Sequence, residues 1–320
     1  MSDDILSVSD LVTLYRTEKK EVKAIRNLNL GVRRGETIAL VGESGSGKST
    51  LGLSILRLIE PPNEITEGSI VFRDSDGDVS ILELSLPEIR SFRWKKISMI
   101  FQSAMNVLDP VMRIQDQFIE TFEAHSIKGN YGEKINHFLE LAGLGSNVRR
   151  MYPHELSGGM KQRVCIALAL SCEPELLIAD EPTTALDVVV QKEVLLELNK
   201  LKRNLNLSII FITHDLSLAY VLSKRVVVMY AGRIMENGIS EQLVKKPLHP
   251  YTAGLLMSVP SRSKNDGPLF SISGSPPSFF GLPKGCTFHP RCPQVFGVCR
   301  EKEPSLTVSG ESMVRCWLYE

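Results

Sequence analysis

The sequence lacks a basic N-terminal segment followed by an apolar run; it opens on MSDDILSVSD. Nor does any apolar stretch approach the roughly 20 residues that a membrane helix needs. Together these absences lead to the expectation of a cytoplasmic chain that does not itself span a membrane. Charge of one sign is not in excess either, because Lys plus Arg and Asp plus Glu number 37 each. No overall positive field draws the chain to nucleic acid or anionic lipid, so no nucleic-acid partner is expected and binding has to come from local sites. There is no internal repeat. Cysteine is scarce, yet four of the six cysteines lie within the last 35 residues. A chain of 320 residues buries enough core to need no disulfide staples. In a reducing compartment such a cluster points to metal ligands before disulfides.

What is present alternates between two patterns. ILSVSDLVTLY and VKAIRNLNLGV read as half-buried strands around the polar turn RTEKKE, and GSIVFRDSDGDVSILEL as further hairpin material turning at its Asp/Gly cluster. ETIALVG reads as a buried strand, and GKSTLGLSILRLI as a helix that Pro61 and Pro62 stop. From about residue 106 to 172 the signal is helical: Ile114, Phe118 and Phe122 share one face, and Ile135, Phe138, Leu139 and Ala142 another. Strand and helix then alternate through ELLIAD, DVVVQKEVLLELNKLK, LSIIFIT, LSLAYVLS and RVVVMYAG, which predicts a parallel sheet with crossover helices. After the helix-like HPYTAGLLMSV, residues 260 to 285 are rich in Ser, Gly and Pro and read as a linker.

Between the buried strand and its helix lies GESGSGKST: Gly42, Glu43, Ser44, Gly45, Ser46, Gly47, Lys48, Ser49 and Thr50. This fits G-x-x-x-x-G-K-[ST] in its strand–loop–helix context. The glycines let successive N–H groups aim at phosphate oxygens, and the following helix adds its positive end. Lys48 reaches the outer phosphates, and the Ser49 hydroxyl is suited to ligate Mg²⁺. That leaves open a nucleotide-hydrolysing machine or a kinase-like transferase. ELLIADEPTTALD bears on the choice, because its apolar strand ends in Asp180 and Glu181, at the strand end where such sheets bind ligands. Asp180 suits the Mg²⁺ shell and Glu181 the activation of a water. IFITHD brings His214 to a strand end as well, suited to a terminal phosphate or the attacking water. Paired carboxylates also occur as solvated strand ends and a lone histidine is usually structural, so these readings lean on the loop upstream.

Two further segments carry a family resemblance. ELSGGMKQR, residues 155 to 163, matches the LSGG signature of ABC-type ATPases, and IFQSAMNVLDP carries Gln102 at the place of their Q-loop glutamine. Alone, LSGG would be only a helix cap. In this order the chain resembles ABC transporter nucleotide-binding subunits over residues 1 to 258. The resemblance implies an α/β fold: a RecA-like P-loop core, an antiparallel β subdomain and a helical subdomain. It implies ATP as the nucleotide, with Tyr15 stacking on adenine and Gln102 sensing Mg²⁺ and the attacking water. In the family two subunits sandwich two ATP molecules. Ser157, Gly158 and Gly159 would then face the γ-phosphate on the partner's loop, and Asp187 would reach across the same interface. Met160 stands where glutamine often follows LSGG, and QSAMN replaces the usual acidic-proline step.

The C-terminal part, from PLHPYTAGLLMSVP through GSPPS to GCTFHPRC, resembles the tail of dipeptide and oligopeptide importer ATPases, whose relatives also serve nickel and oligosaccharide importers. It implies an extension over residues 259 to 320 and, as partners, a second ATPase subunit, two membrane permease subunits and an extracytoplasmic solute-binding protein, at the inner face of the membrane. A soluble ABC ATPase acting on ribosomes or DNA, or a non-hydrolysing module, are the competing readings. Cys286, Cys292, Cys299 and Cys316 have five, six and sixteen residues between neighbours, unlike the C-x₂-C of common zinc modules or ferredoxins. Three readings compete: a [4Fe-4S] cluster, which the resemblance favours, structural Zn²⁺, or free thiols in a small core. The extension looks irregular, so metal ligation would supply folding energy that a small core lacks. Cys165 and Cys172 sit on an apolar helix and read as core.

Overall fold

The computed structural model describes residues 3–17, 20–74, 77–102, 107–184, 186–258 and 271–320. Residues 260–270 of the expected linker and residues 103–106, after Gln102, lie outside them. In chain order, β1 (Asp4–Arg16), β2 (Glu21–Arg33) and β3 (Thr37–Val41) precede α1 (Lys48–Ile55). β4 (Glu64–Asp74), β5 (Gly77–Ser80), α2 (Leu86–Phe92) and β6 (Ile97–Ile100) follow, then α3 (Ile114–Ala124), α4 (Tyr131–Leu141) and α5 (Gly158–Leu170). Next come β7 (Leu176–Asp180), α6 (Val188–Leu205), β8 (Ser208–Thr213), α7 (Leu216–Leu222), β9 (Arg225–Tyr230) and β10 (Arg233–Ile239). The chain closes with α8 (Ser240–Lys245), α9 (Pro250–Met257), α10 (Gly297–Glu301), β11 (Thr307–Ser309) and β12 (Ser312–Val314).

By contact density the chain divides into two compact units, one of residues 1–32, 37–82 and 211–320, the other of 33–36 and 83–210. In the first unit an antiparallel sheet runs β2-β1-β4-β5, with Leu6 opposite Phe72 and Val8 opposite Ile70. The inward residues Leu6, Val8, Ile70 and Phe72 are buried, as period-two alternation requires. A second run of strands in this unit is ordered β11-β12-β10-β9-β3. Its parallel pair, β3 with β9, sets Ala39 against Val226 and Val41 against Val228. Every residue of β3 is buried, the mark of a parallel strand covered on both faces. In the second unit β6 and β7 are parallel, Met99 opposite Ile178. The helical segment there has Ile114, Phe118, Phe122, Ile135, Phe138 and Leu139 buried, so the predicted helix faces do turn inward.

Three expectations are corrected. The helix after the phosphate loop does not run to the prolines: α1 ends at Ile55, with Arg57 at φ +50°. The Leu58 N–H donates to Leu53 O (2.8 Å) and Arg57 N–H to Ser54 O (3.0 Å), the two bonds of a left-handed helix stop that needs no proline. Second, the sheet is mixed. β10 returns antiparallel to β9, Asn237 opposite Val227, and was hidden in the sequence by a polar triplet, Glu236-Asn237-Gly238. Third, the C-terminal extension is less irregular than its composition suggests. β12 adds antiparallel to β10, with Val314 opposite Glu236, and β11 pairs in turn with β12. Cys286, Phe288 and Cys299 join one buried cluster with Val228, Tyr230 and Tyr251, so the extension shares its unit's core instead of building a separate one.

Candidate functional site

The residues expected to handle nucleotide fall in both units, and each group is described within its own. In the first unit β3 leads into the phosphate loop. A Cβ on Gly42 would meet Met229 O at 2.2 Å, so that position admits only glycine. Gly47, at φ +102°, is left-handed and would bring a Cβ to 2.8 Å from Ala24 O. The buried Lys48 ammonium donates to Gly42 O (2.7 Å) and Glu43 O (3.0 Å), so the loop's own carbonyls draw the cation in along it. Ser49 and Thr50 follow on the first turn of α1, half-buried; Ser44 and Gly45 are exposed and Ser46 is buried. Tyr15 is half-buried near the end of β1, and His214 is exposed one residue beyond β8.

Glu43 is the loop residue with the most partners. Its N–H donates to the Tyr251 hydroxyl (2.9 Å). Its carboxylate accepts two bonds from Arg291, Nη1 to Oε2 at 2.6 Å and Nη2 to Oε1 at 2.9 Å. Neither Tyr251 nor Arg291 stood out in the sequence as a site residue. The only trace was their place in the HPY and HPRC steps of the tail.

In the second unit β7 delivers a buried Asp180 and, next to it, Glu181 at φ +45°. A left-handed non-glycine residue carries a strain of about 1–2 kcal/mol, tolerated where geometry is functionally fixed. The Glu181 Oε2 accepts from Thr184 Oγ1 (2.9 Å) and from Gln102 Nε2 (3.3 Å). The structure thus brings together two residues chosen independently in the sequence and adds Thr184, which was missed. At the signature, Ser157 caps α5, its Oγ accepting from Met160 N–H (3.3 Å). Asp187 caps α6, its Oδ1 accepting from Val189 and Val190 N–H at 3.0 Å each. Ser157, Gly158, Gly159 and Asp187 line one cavity of about 340 Å³, with Arg163 and Glu193 ion-paired at its rim (2.6 Å).

None of the six cysteines, all among the described residues, forms a disulfide. Cys165 and Cys172 are buried, as core residues should be, and burial pushes the Cys165 thiol up to about 12. Cys286, Cys292, Cys299 and Cys316 line one apolar-walled cavity together with His249 and Phe288. Burial raises the Cys286 thiol to about 11, and raises Cys292 and Cys316 as well. Such thiols are protonated at neutral pH unless a cation stabilises the thiolate. Among the described residues, no group of three or more His, Cys, Asp or Glu is arranged to hold a metal ion. The donor chemistry of the cavity fits a thiolate-bound group; the arrangement does not converge on a single ion.

Residues 25–184 match the ABC transporter family, and residues 235–299 match the oligopeptide/dipeptide transporter C-terminal region. The oligopeptide transport ATP-binding protein OppD of Salmonella typhimurium is 42% identical over 317 residues, covering 98% of this chain and 93% of its own. The dipeptide transport ATP-binding protein DppD of Bacillus subtilis is 41% identical, covering 99% and 96%. Among solved structures, the dimeric ATP-binding cassette MJ0796 in a post-hydrolysis state with ADP and phosphate superposes with a TM-score of 0.64 at 26% identity. It covers 73% of this chain and 98% of its own. A cassette from Clostridium perfringens, cbiO1 of the cbiONQ complex, gives 0.65 at 27%, covering 77% and 92%.

Proposed function

Because the chain belongs to the ATP-binding subunits of oligopeptide and dipeptide ABC transporters, we propose that it binds and hydrolyses ATP to power the import of di- and oligopeptides. The observation that carries this reading is the joining of two matches in one chain, the ATPase cassette and the transporter-type C-terminal region, at 41–42% identity to peptide-transport relatives along nearly the whole length. Its partners are a second ATPase subunit, two membrane permease subunits and an extracytoplasmic solute-binding protein. No helix among the described residues is long and apolar enough to cross a membrane, so attachment runs through the permeases. Residues 1–258 act as the cassette and 259–320 as its extension.

The roles follow from the groups present. Tyr15 offers a ring to adenine. The loop from Gly42 to Thr50 binds the phosphates, with Lys48 exchanging its loop carbonyls for phosphate oxygens. Mg²⁺, when held by Ser49, Asp180 and Gln102, neutralises charge on the phosphates. Glu181, oriented by Thr184 and Gln102, accepts the proton of the attacking water, and His214 supports the terminal phosphate. Ser157, Gly158, Gly159 and Asp187 present the signature cavity to nucleotide on the second subunit, so that bound ATP closes the pair and hydrolysis releases it. The test is ATPase activity of the assembled transporter with its binding protein carrying peptide, oligosaccharide or a nickel chelate. Peptide alone should stimulate hydrolysis; stimulation only by sugar or nickel would move the chain to a sister transporter.

Cys286, Cys292, Cys299 and Cys316 hold a [4Fe-4S] cluster in this reading. What supports it is four thiols lining one apolar cavity, the number and type of ligand such a cluster takes. When bound, the cluster supplies folding energy to the extension by stabilising thiolates that are otherwise protonated. Anaerobic purification followed by iron, acid-labile sulfide and zinc analysis decides between this and zinc: about four irons per chain supports the cluster, one zinc without sulfide overturns it.

A further inference from the structure

Glu43 puts a carboxylate into a loop built to receive a triphosphate. A negative charge there opposes the ligand unless it is compensated, since electrostatic repulsion acts over the distances spanned by such a loop. The compensation comes from far along the chain. Arg291 meets both carboxylate oxygens at 2.6 and 2.9 Å, in the two-pronged geometry that gives the strongest carboxylate pairing. The guanidinium is itself fixed. Its side chain is 5% exposed, and it donates from Nε to Ser273 O (3.0 Å) and from Nη1 to the Tyr230 hydroxyl (3.3 Å). Beside it the Tyr251 hydroxyl takes the Glu43 N–H, and Tyr251 N–H is held by His249 Nδ1 (2.9 Å). Both braces on Glu43 therefore originate C-terminal to the cassette's last strand, and Arg291 directly precedes Cys292.

We propose that Arg291 is a positioning residue for ATP binding, by which the C-terminal extension cancels the charge of Glu43 and fixes the start of the phosphate loop. Nucleotide affinity is thereby tied to the folded state of the cysteine-bearing segment. This rests on the phosphate loop binding ATP, which the same experiment tests separately.

The experiment is equilibrium binding of a fluorescent Mg·ATP analogue to the full chain, with KM and kcat for ATP measured in the assembled transporter. Five proteins are compared: wild type, Arg291→Ala, Glu43→Gln, the double variant and Arg291→Lys. Absence of binding by the wild type would sink the ATP assignment itself. Given binding, Arg291→Ala should raise Kd and KM at least about tenfold, the lower end for one uncompensated charge at an effective dielectric near 20. kcat should change little, since the loss is shared by ground and transition states. In the Glu43→Gln background the same substitution should cost less than twofold, because no charge is left to cancel. The penalty should also shrink as salt rises, which a packing defect would not do. Arg291→Lys keeps a cation but loses the two-pronged geometry, and should fall between Ala and wild type. An unchanged Kd for Arg291→Ala, or an equal loss in both Glu43 backgrounds, would overturn the proposal.

Discussion

Removing the carboxylate of Glu236 perturbs the same braces from beneath. This residue lies in the middle of β10 and is fully buried. Its two oxygens accept the N–H groups of Leu248 and His249, each at 2.9 Å, and so fix the turn that starts α9 and carries Tyr251 to the phosphate loop. Glu236→Leu strips both acceptors at once. Two backbone donors, one buried and one part-buried, left unpaired cost about 1–3 kcal/mol each, so the variant should lose about 2–6 kcal/mol of stability. Glu236→Gln keeps one acceptor oxygen but sets its amide NH2 against the other backbone N–H, so it should lose about half as much, about 1–3 kcal/mol. Charge adds a second signature. Burial raises the carboxyl above its ordinary 4.5 despite the two N–H bonds, so the folded state holds the proton more tightly than the unfolded. Stability from this group is then full below pH 4.5 and declines as pH rises through the folded value. The Gln variant has no such proton and should lack that part of the pH dependence. Urea unfolding at several pH values measures both effects. A Leu variant as stable as wild type would refute the reasoning.

Three other perturbations have defined outcomes. Glu181→Gln should lower ATP turnover by a factor of about 10²–10⁴ while leaving nucleotide binding intact, the loss expected for a proton acceptor; steady-state phosphate release measures it. Thr184→Val removes the 2.9 Å bond that orients Glu181 and should cut kcat about three- to tenfold at unchanged KM, corresponding to the roughly 0.5–1.5 kcal/mol of one hydrogen bond. Gly47→Ala places a methyl 2.8 Å from Ala24 O at φ +102°, so it should abolish ATP binding and lower the unfolding midpoint, both readable by titration and thermal melting.

How much of this was legible beforehand depended on whether a residue's role was local. Lys48 sits in a contiguous segment whose chemistry is set by neighbours a few positions away, so its spacing singled it out; Asp180 was read with that loop behind it, and Ser157 through the family resemblance. The helix faces through Ile114, Phe118 and Phe122 were legible for the same reason: their period is a local property. β10 was not, because Glu236 breaks the apolar run that signals a buried strand, and hydrogen-bond donors twelve and thirteen positions on, the N–H groups of residues 248 and 249, help make a buried carboxylate tolerable there. The end of α1 was misplaced because its stop is a backbone conformation at Arg57, for which two visible prolines offered a false substitute. Arg291 is the extreme case: its partner is 248 residues away, and no pattern in either segment signals the pair. The tail was therefore read as an appendage that needed metal to stand alone, when Phe288, Tyr230 and Tyr251 give it a shared aromatic core with ring centroids 4.7 to 5.4 Å apart. That packing changes what metal removal should do. With a core shared and strand β12 anchored on β10, stripping the cysteines of metal should loosen the extension without unfolding the cassette, and the first functional casualty should be the Arg291 contact, seen as weaker ATP binding before any loss of β-sheet signal.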